Sequence, residues 1–232
     1  MCLACNSKLS SPSRRSVLLG GLAALAAGVV PAFSREPAVP PDEALRRLVE
    51  GNARYVAGQR TKTDFSVGRV ARAQSQSPFA AILSCADSRV APELVFDQGP
   101  GDLFVVRVAG NFVNDDGLAS LEYAVNFLET PLIMVLGHSS CGAVDAAIKV
   151  VRDGLALPGH LPEMIEPIRP AAETALAQSP SDPLGVAISA NVQNAVARLE
   201  AAEPILAARV KSQSLRVVGA HYDLETGQVA LI

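Results

Sequence analysis

The sequence predicts an α/β fold: a central, mainly parallel β-sheet flanked by helices, with a helical arm at the amino-terminal side. Segments with apolar residues at helical spacing alternate with short apolar runs, which is the pattern of a parallel sheet covered by helices. The short runs are continuously apolar, as expected of strands that are buried on both faces. Hydrophobic residues make up 49% of the 232 residues and aromatic residues only 4%, so we expect a core of Ala, Val, Leu and Ile.

The predicted elements follow one another as in a single domain. A helix opens at Pro41-Asp42-Glu43, with a proline and acidic residues in its first turn, and a polar connection follows over 61–77. The strand-like runs cover 79–83, 102–108, 131–136, 215–221 and 229–232. Further helical patterns cover 117–128, 141–151 and 186–210, the last being one helix or two with a break at Pro204, and 154–170 begins as a loop.

The charge balance excludes several classes of protein. Lys and Arg number 20 against 23 Asp and Glu, and the net charge is −3. A nucleic-acid-binding domain normally carries a clear excess of basic residues in a patch or stripe, and a disordered chain is less apolar and more highly charged. We therefore expect a soluble folded domain that does not bind nucleic acid.

Residues 1–34 have the organisation of an export signal. The segment contains Lys8, Arg14 and Arg15 but no acidic residue, and an apolar run follows at 17–33. A basic head, an apolar middle and small residues near the end are the three parts of a secretory signal peptide. An uncleaved membrane anchor is the alternative, but a run of 17 residues lies at the lower limit for a spanning helix.

The arginine pair resembles a twin-arginine export signal. It stands in Ser13-Arg14-Arg15-Ser16-Val17-Leu18-Leu19, which departs from the usual pattern at Val17 and Leu19. We therefore predict a cleaved signal at 1–34 and a single folded domain at 35–232. The expected location is the bacterial periplasm or the outside of the cell, without a stable membrane anchor.

Two polar clusters follow predicted strands. In parallel sheets, side chains beyond the carboxyl ends of the strands form the ligand-binding edge. One cluster is Cys85-Ala86-Asp87-Ser88-Arg89 and the other is His138-Ser139-Ser140-Cys141-Gly142. Two thiols, an imidazole and a carboxylate are ligand types of a tetrahedral zinc site.

The cysteine count leaves two thiols for the folded domain. Cys2 and Cys5 belong to the predicted signal, and Cys85 and Cys141 remain. In an exported protein two cysteines would ordinarily suggest one disulfide. The surroundings of Cys85 and Cys141 indicate a metal site instead.

The two clusters resemble the zinc motifs of the β-class carbonic anhydrases. The resemblance extends to 44–52 in the first helix, 101–111 at the second strand and 120–125 in the helix before His138, and it covers roughly 41–232. It implies a zinc enzyme with one ion per chain that reversibly hydrates carbon dioxide to bicarbonate and a proton.

The resemblance also implies roles for the motif residues. Zinc is bound by Cys85, His138 and Cys141, and Asp87 is a fourth ligand when the site is closed. When Arg89 binds Asp87 instead, the fourth position is open to water, zinc-bound hydroxide attacks CO₂, and Asp87 orients the hydroxide. Two alternatives stay open: hydrolysis of carbon disulfide or carbonyl sulfide by the same site, and a zinc-stabilised module without catalysis, for which a switchable ligand would be needless.

Three further residues match the substrate pocket of that family. Gln76 would donate its amide to an oxygen of CO₂ or bicarbonate. Phe104 and Tyr123 match aromatic pocket residues, with plain core packing as the alternative. Because the family forms dimers and larger assemblies with pocket residues crossing the dimer interface, we expect a homodimer or a higher homo-oligomer.

Some bacterial members of the family have a second, inhibitory bicarbonate site that uses a Trp, a Gly and an Arg. Only Arg107 matches that set, since Ile82 and Ser84 occupy the other two places. We therefore predict that bicarbonate does not inhibit this protein through such a site.

Overall fold

The computed structural model describes residues 39–66 and 68–232, which form nine helices and five strands. The helices are α1 (Pro41–Val56), α2 (Arg69–Arg72), α3 (Pro92–Val95), α4 (Asp115–Phe127), α5 (Gly142–Asp153), α6 (Leu161–Ile165), α7 (Arg169–Gln178), α8 (Pro183–Glu200) and α9 (Leu206–Lys211). The strands are β1 (Ala80–Ser84), β2 (Leu103–Arg107), β3 (Leu132–His138), β4 (Arg216–Tyr222) and β5 (Val229–Leu231). The predicted export signal, with its arginine pair and two cysteines, lies outside the described residues.

The five strands form one sheet in the order β2-β1-β3-β4-β5. The first four strands in that order are parallel, and β5 pairs antiparallel with β4. The predicted mainly parallel sheet is confirmed. Because β1 and β3 are parallel neighbours, the residues that end or follow them lie at the same edge of the sheet.

Helices cover both faces of this sheet. Successive strand residues point to opposite faces, and because every residue of β1 and β3 is buried, the side chains on both faces are covered by helices. On one face, Ile82 and Met134 pack with Leu48 of α1. On the other face, Leu83 and Val135 pack with buried residues of α4, α8 and α9. The helix predicted as an amino-terminal arm is therefore packed on the sheet along one of its sides.

A third apolar cluster lies around the carboxyl edge of β1 and is formed mainly by α5, α7 and α8, with Ile165 of α6. It includes Ile165 and Ile168 and also both thiols of the domain, Cys85 and Cys141. The two thiols are therefore enclosed by aliphatic side chains, while the segments that bear them come from different strands.

The loop predicted from position 154 ends earlier than its proline content suggests. α6 and α7 have Pro162 and Pro170 in their first turns. A proline there costs no hydrogen bond, because the first N–H groups of a helix have no partner within it. These prolines begin helices and do not extend the loop.

Other element boundaries differ from the prediction by a few residues. β3 continues to His138, so the histidine is the last residue of the strand. α4 begins at Asp115 because the Asn114 side chain accepts a hydrogen bond from the Gly117 N–H at 2.8 Å. The pattern over 186–210 belongs to α8 and α9, separated after Glu200. Within 39–66 and 68–232, no helix combines the length and the apolar character that crossing a bilayer requires.

Candidate active site

Three buried side chains meet at the carboxyl edge of the sheet. Cys85 follows β1, His138 ends β3, and Cys141 is the residue before the first turn of α5. Their Sγ and imidazole nitrogen atoms all lie within 4.8 Å of one another. The sequence prediction that these residues lie together is confirmed, and the reason is the pairing of β1 with β3.

The two ring nitrogens of His138 have different surroundings. Its Nδ1 lies 2.9 Å from the carbonyl oxygen of Ser139, and a carbonyl only accepts, so Nδ1 carries the proton. Nε2 is buried and has no hydrogen-bond partner. A buried nitrogen lone pair beside two sulfur atoms suits a metal ion, and a backbone carbonyl on the other ring nitrogen is the usual arrangement for a metal-binding histidine.

The two thiols differ in their surroundings. The hydrogen bond from Cys141 lowers the pKa of Cys85 against the effect of burial, and the N–H of Gly110 contributes at 3.2 Å from the Cys85 sulfur. The same interaction and burial raise the pKa of Cys141. A dication at this point would ionise both thiols, and two thiolates with one neutral imidazole are a zinc-binding set.

Gly110 approaches the Cys85 sulfur at a position that needs a glycine. Its φ of 84° lies in the left-handed region, where residues with a Cβ are strained. A Cβ there would also lie 2.4 Å from Cδ1 of Ile168. The glycine thus permits the close packing that brings its N–H to the sulfur.

Asp87 lies beside the three buried residues and is bound by Arg89. Nε of Arg89 donates to Oδ1 at 2.9 Å and Nη2 donates to Oδ2 at 2.7 Å. Oδ2 is also 3.9 Å from Nε2 of His138. The hydrogen bonds from Arg89 hold the pKa of the Asp87 carboxyl well below its usual range, so Asp87 is an anion at the edge of the cluster.

The other three predicted site residues lie elsewhere in the same chain. Phe104 pairs with Ala81, four residues before Cys85, which is ~13 Å along a strand. The ring of Tyr123 lies 6.4 Å from that of Phe104. Gln76 is exposed and lines a surface cavity with Pro100 and Gly101, at the edge where β1 and β2 begin.

These placements divide the predicted site in two. Cys85, Asp87, Arg89, His138 and Cys141 lie together at the carboxyl edge of the sheet. Gln76, Phe104 and Tyr123 lie towards its amino edge and outer strand. One chain alone therefore does not bring Gln76, Phe104 and Tyr123 to the cluster of Cys85, His138 and Cys141.

Similarity to known proteins shows the family to which the chain belongs. A family model described as "Carbonic anhydrase" matches residues 80–229. The chain belongs to the carbonic anhydrase family. Carbonic anhydrase 2 of Mycobacterium tuberculosis is 41% identical over 196 residues, which cover 84% of this chain and 94% of the relative. A carbonic anhydrase of Mycolicibacterium smegmatis is 38% identical over 192 residues, covering 82% and 93%.

Solved carbonic anhydrase structures share the architecture and indicate the β class. A Coccomyxa β-carbonic anhydrase in complex with acetazolamide is 32% identical, with a TM-score of 0.64, and the match covers 81% of this chain and 86% of that one. A tetrameric β-carbonic anhydrase of Sordaria macrospora shares the fold at 22% identity, with a TM-score of 0.66 and coverage of 82% and 97%. The chain is thus an enzyme of the carbonic anhydrase family with the β-class fold.

The sequence pattern did not indicate several groups that surround Cys85, Asp87 and His138. The carbonyl of Ser139, the N–H of Gly110 and the side chain of Arg107 all contact the motif residues. The first two act through the main chain, which leaves no pattern of residue types. For Arg107 the sequence offers only a partial match to an anion site, which does not indicate the contacts that its side chain makes.

Proposed function

We propose that this chain reversibly hydrates CO₂ to bicarbonate and a proton, with one zinc ion bound by Cys85, His138 and Cys141. The observation that carries the proposal is the buried, unpartnered Nε2 of His138 beside two thiols, together with an aspartate at 3.9 Å from that nitrogen. When bound, zinc supplies a Lewis acid that makes a water molecule acidic near neutral pH.

Asp87 and Arg89 would control what occupies the remaining position. Arg89 uses two N–H groups to bind both oxygens of the Asp87 carboxylate, and a carboxylate bound in this way is less available as a metal ligand. Oδ1 also accepts the Arg89 backbone N–H at 2.9 Å, whereas Oδ2 keeps a lone pair that can accept a hydrogen bond from the reacting water. Because the pKa of Asp87 is lowered, the carboxylate stays an acceptor throughout the neutral range.

The buried surroundings favour this chemistry. Cys85 and Cys141 lie within the third apolar cluster with Ile165 and Ile168. The aliphatic side chains there have no atoms that could compete with the two thiols for a metal ion. Electrostatic interactions are stronger in such a medium than in bulk water. A purely structural zinc site would need no ionised aspartate beside it, which argues against the non-catalytic alternative.

We also propose that the active pocket is completed by a second copy of the chain. Gln76, Phe104 and Tyr123 are too far from their own cluster to contact a substrate there. β2 is an outer strand of the sheet, and beside it the Tyr123 side chain is 47% exposed. A dimer with two-fold symmetry would place these residues of each chain at the cluster of the other.

Export is the remaining part of the proposal. The basic pair Arg14-Arg15 and the apolar run that follows support a twin-arginine signal that carries the folded protein to the periplasm. A site with two thiolates gains from that route, because zinc can be bound in the reducing cytoplasm before the thiols meet an oxidising compartment.

The test of the proposed activity is a stopped-flow measurement of CO₂ hydration, with zinc content measured on the same sample. We expect about one zinc per chain and a rate of CO₂ hydration well above the uncatalysed rate in the same buffer. Carbon disulfide and carbonyl sulfide are assayed in parallel. Hydrolysis of either without hydration of CO₂ would replace the proposed substrate, and absence of all three activities in zinc-loaded protein would refute the proposal.

A further inference from the structure

The turn that carries Cys85 and Asp87 is bound along one side by the segment that follows β2. The Val108 N–H donates to the carbonyl of Ser84, and the Ala86 N–H donates to the carbonyl of Val108, both at 3.2 Å. These main-chain bonds continue the pairing of β1 with β2 past the ends of the two strands. They do not involve the carbonyl groups of Cys85 and Asp87, and the second of these accepts the Val90 N–H at 3.0 Å.

Arg107 donates to both of these carbonyl groups through its side chain. It is the last residue of β2 and pairs in register with Ser84, the last residue of β1, so its side chain reaches the turn that comes next. Nε donates to the carbonyl oxygen of Cys85 at 3.0 Å, and Nη2 donates to that of Asp87 at 2.6 Å. A guanidinium is a rigid planar fork, and here it fixes two carbonyls that flank Ala86.

We propose that Arg107 is a positioning residue for the active site. By binding the carbonyls on both sides of Ala86, it fixes the spacing between the Cys85 sulfur and the Asp87 carboxylate. This inference rests on the proposed function, since it concerns the residues that would bind zinc and orient water. It assigns the Nε and Nη2 donors of Arg107 to the turn, where they bind the carbonyl oxygens of Cys85 and Asp87.

Arg107 is not part of a hydrophobic core, so its effect on the turn can be tested separately from any effect on the fold. The residue is exposed and belongs to none of the three apolar clusters. Replacing it with methionine keeps an aliphatic stem of similar reach and removes both donors, without leaving a cavity in a core. The fold is therefore expected to persist while the geometry of the turn relaxes.

The experiment compares zinc-loaded full-length wild type with Arg107→Met, Arg107→Lys and the control Arg216→Met. Arg216 is also an exposed arginine at a strand end, but its Nη1 pairs with Asp42 at 2.7 Å, at the amino edge of the sheet. Two quantities are measured on each protein: the rate of zinc release to a chromophoric chelator, and kcat and KM for CO₂ hydration. Circular dichroism establishes the folded fraction.

We expect Arg107→Met to release zinc about 10-fold faster and to lose kcat by a similar factor, as other losses of groups behind metal ligands do. Arg107→Lys should be intermediate, because one ammonium group cannot bind both carbonyls in the geometry of the fork. Arg216→Met should match wild type. Should Arg107→Met fail to fold, the Arg107→Lys result decides in the same way.

The proposal would be overturned if the folded Arg107 variants released zinc at the wild-type rate and kept the wild-type kcat, even if their thermal stability were lower. Zinc release is measurable whether or not the protein hydrates CO₂. An inactive wild type with fast-releasing Arg107 variants would therefore refute the proposed function and leave the positioning role intact. An active wild type with unchanged Arg107 variants would support the proposed function and refute the positioning role.

Discussion

The carboxylate of Asp87 receives two hydrogen bonds from the guanidinium of Arg89, at 2.9 and 2.7 Å, and its Oδ2 lies 3.9 Å from Nε2 of His138. Both residues follow β1 within five positions, so the pair is built into one turn. The arrangement keeps the Asp87 anion next to the cluster of Cys85, His138 and Cys141 while both carboxylate oxygens are bound by Arg89. The sequence resemblance implies a pairing of Asp87 with Arg89 for the open form of the site.

Asp87→Ala should keep its zinc and lose CO₂ hydration. The three buried residues remain, but the acceptor that orients the reacting water is gone, and we expect a fall in kcat of about 100-fold or more. Stopped-flow assays with zinc analysis check this. Asp153→Ala is the control, because Asp153 also pairs with an arginine, at 2.8 Å, but both side chains are half-exposed on the surface. Wild-type activity in Asp87→Ala would show that the aspartate is merely structural.

Two inactive variants should restore activity to each other when mixed. Gln76→Ala removes a residue that we assign to the partner's pocket, and Asp87→Ala removes one from the chain's own cluster. After dissociation and reassembly of equal amounts, about half of the dimers are mixed and each has one intact pocket, so about a quarter of the wild-type activity should return. If the mixture stays as inactive as its components, both residues act within one chain.

Asp97→Asn should destabilise the fold without involving the metal site. Asp97 is buried and accepts hydrogen bonds from Arg54, Thr61 and the Lys62 N–H at 2.6–3.1 Å. Burial alone would raise the pKa of Asp97, but the hydrogen bonds from Lys62, Arg54 and Thr61 lower it to about 2. Loss of the charge should cost about 2 kcal/mol of the free energy of unfolding at neutral pH.

The pH dependence of that loss has a defined sign. A carboxyl whose pKa is lowered by folding stabilises the folded state above its ordinary value of 3.8, and this contribution disappears as the pH falls towards about 2. The stability difference between wild type and Asp97→Asn, from urea unfolding, should therefore shrink over this range. A difference that stays constant would contradict it. Asp145→Asn, which alters an exposed pair with Lys149, serves as the control.

Replacing Arg14 and Arg15 together with lysine should retain an active protein in the cytoplasm. The change keeps the positive charge of the segment but removes the arginine pair that the twin-arginine route requires. Cell fractionation by hydration activity, with the mass of the recovered protein, checks both location and cleavage near Arg35. Equal export of the double-lysine variant and wild type would identify a general secretory signal instead.

The sequence predicted the sheet and the metal cluster because their signals are local. Continuous apolar runs indicate buried parallel strands. Cys85 comes directly after one such strand, and His138 is the last residue of another. The helices begun by Pro162 and Pro170 escaped prediction, because a proline in the first turn of a helix has the same appearance in a sequence as one in a loop.

Contacts between distant segments could not be predicted in the same way. Arg107 binds the carbonyl of Cys85, 22 positions earlier, and any residue at position 85 would offer that carbonyl. The separation of Phe104 from the cluster follows from the register of β2 against β1, which the separate runs do not determine. The resemblance implies a pocket role for Phe104 and its neighbours, and the fold places them away from the cluster of Cys85, His138 and Cys141 in the same chain.

The central claim is that Cys85, His138 and Cys141 bind the zinc on which CO₂ hydration depends. The most direct measurement is zinc content and stopped-flow hydration of purified wild type and Cys141→Ser, side by side. We expect about one zinc per chain and rapid hydration in wild type, and loss of most of both in Cys141→Ser, because a thiolate ligand is removed. A Cys141→Ser protein with full zinc and wild-type hydration would contradict the account.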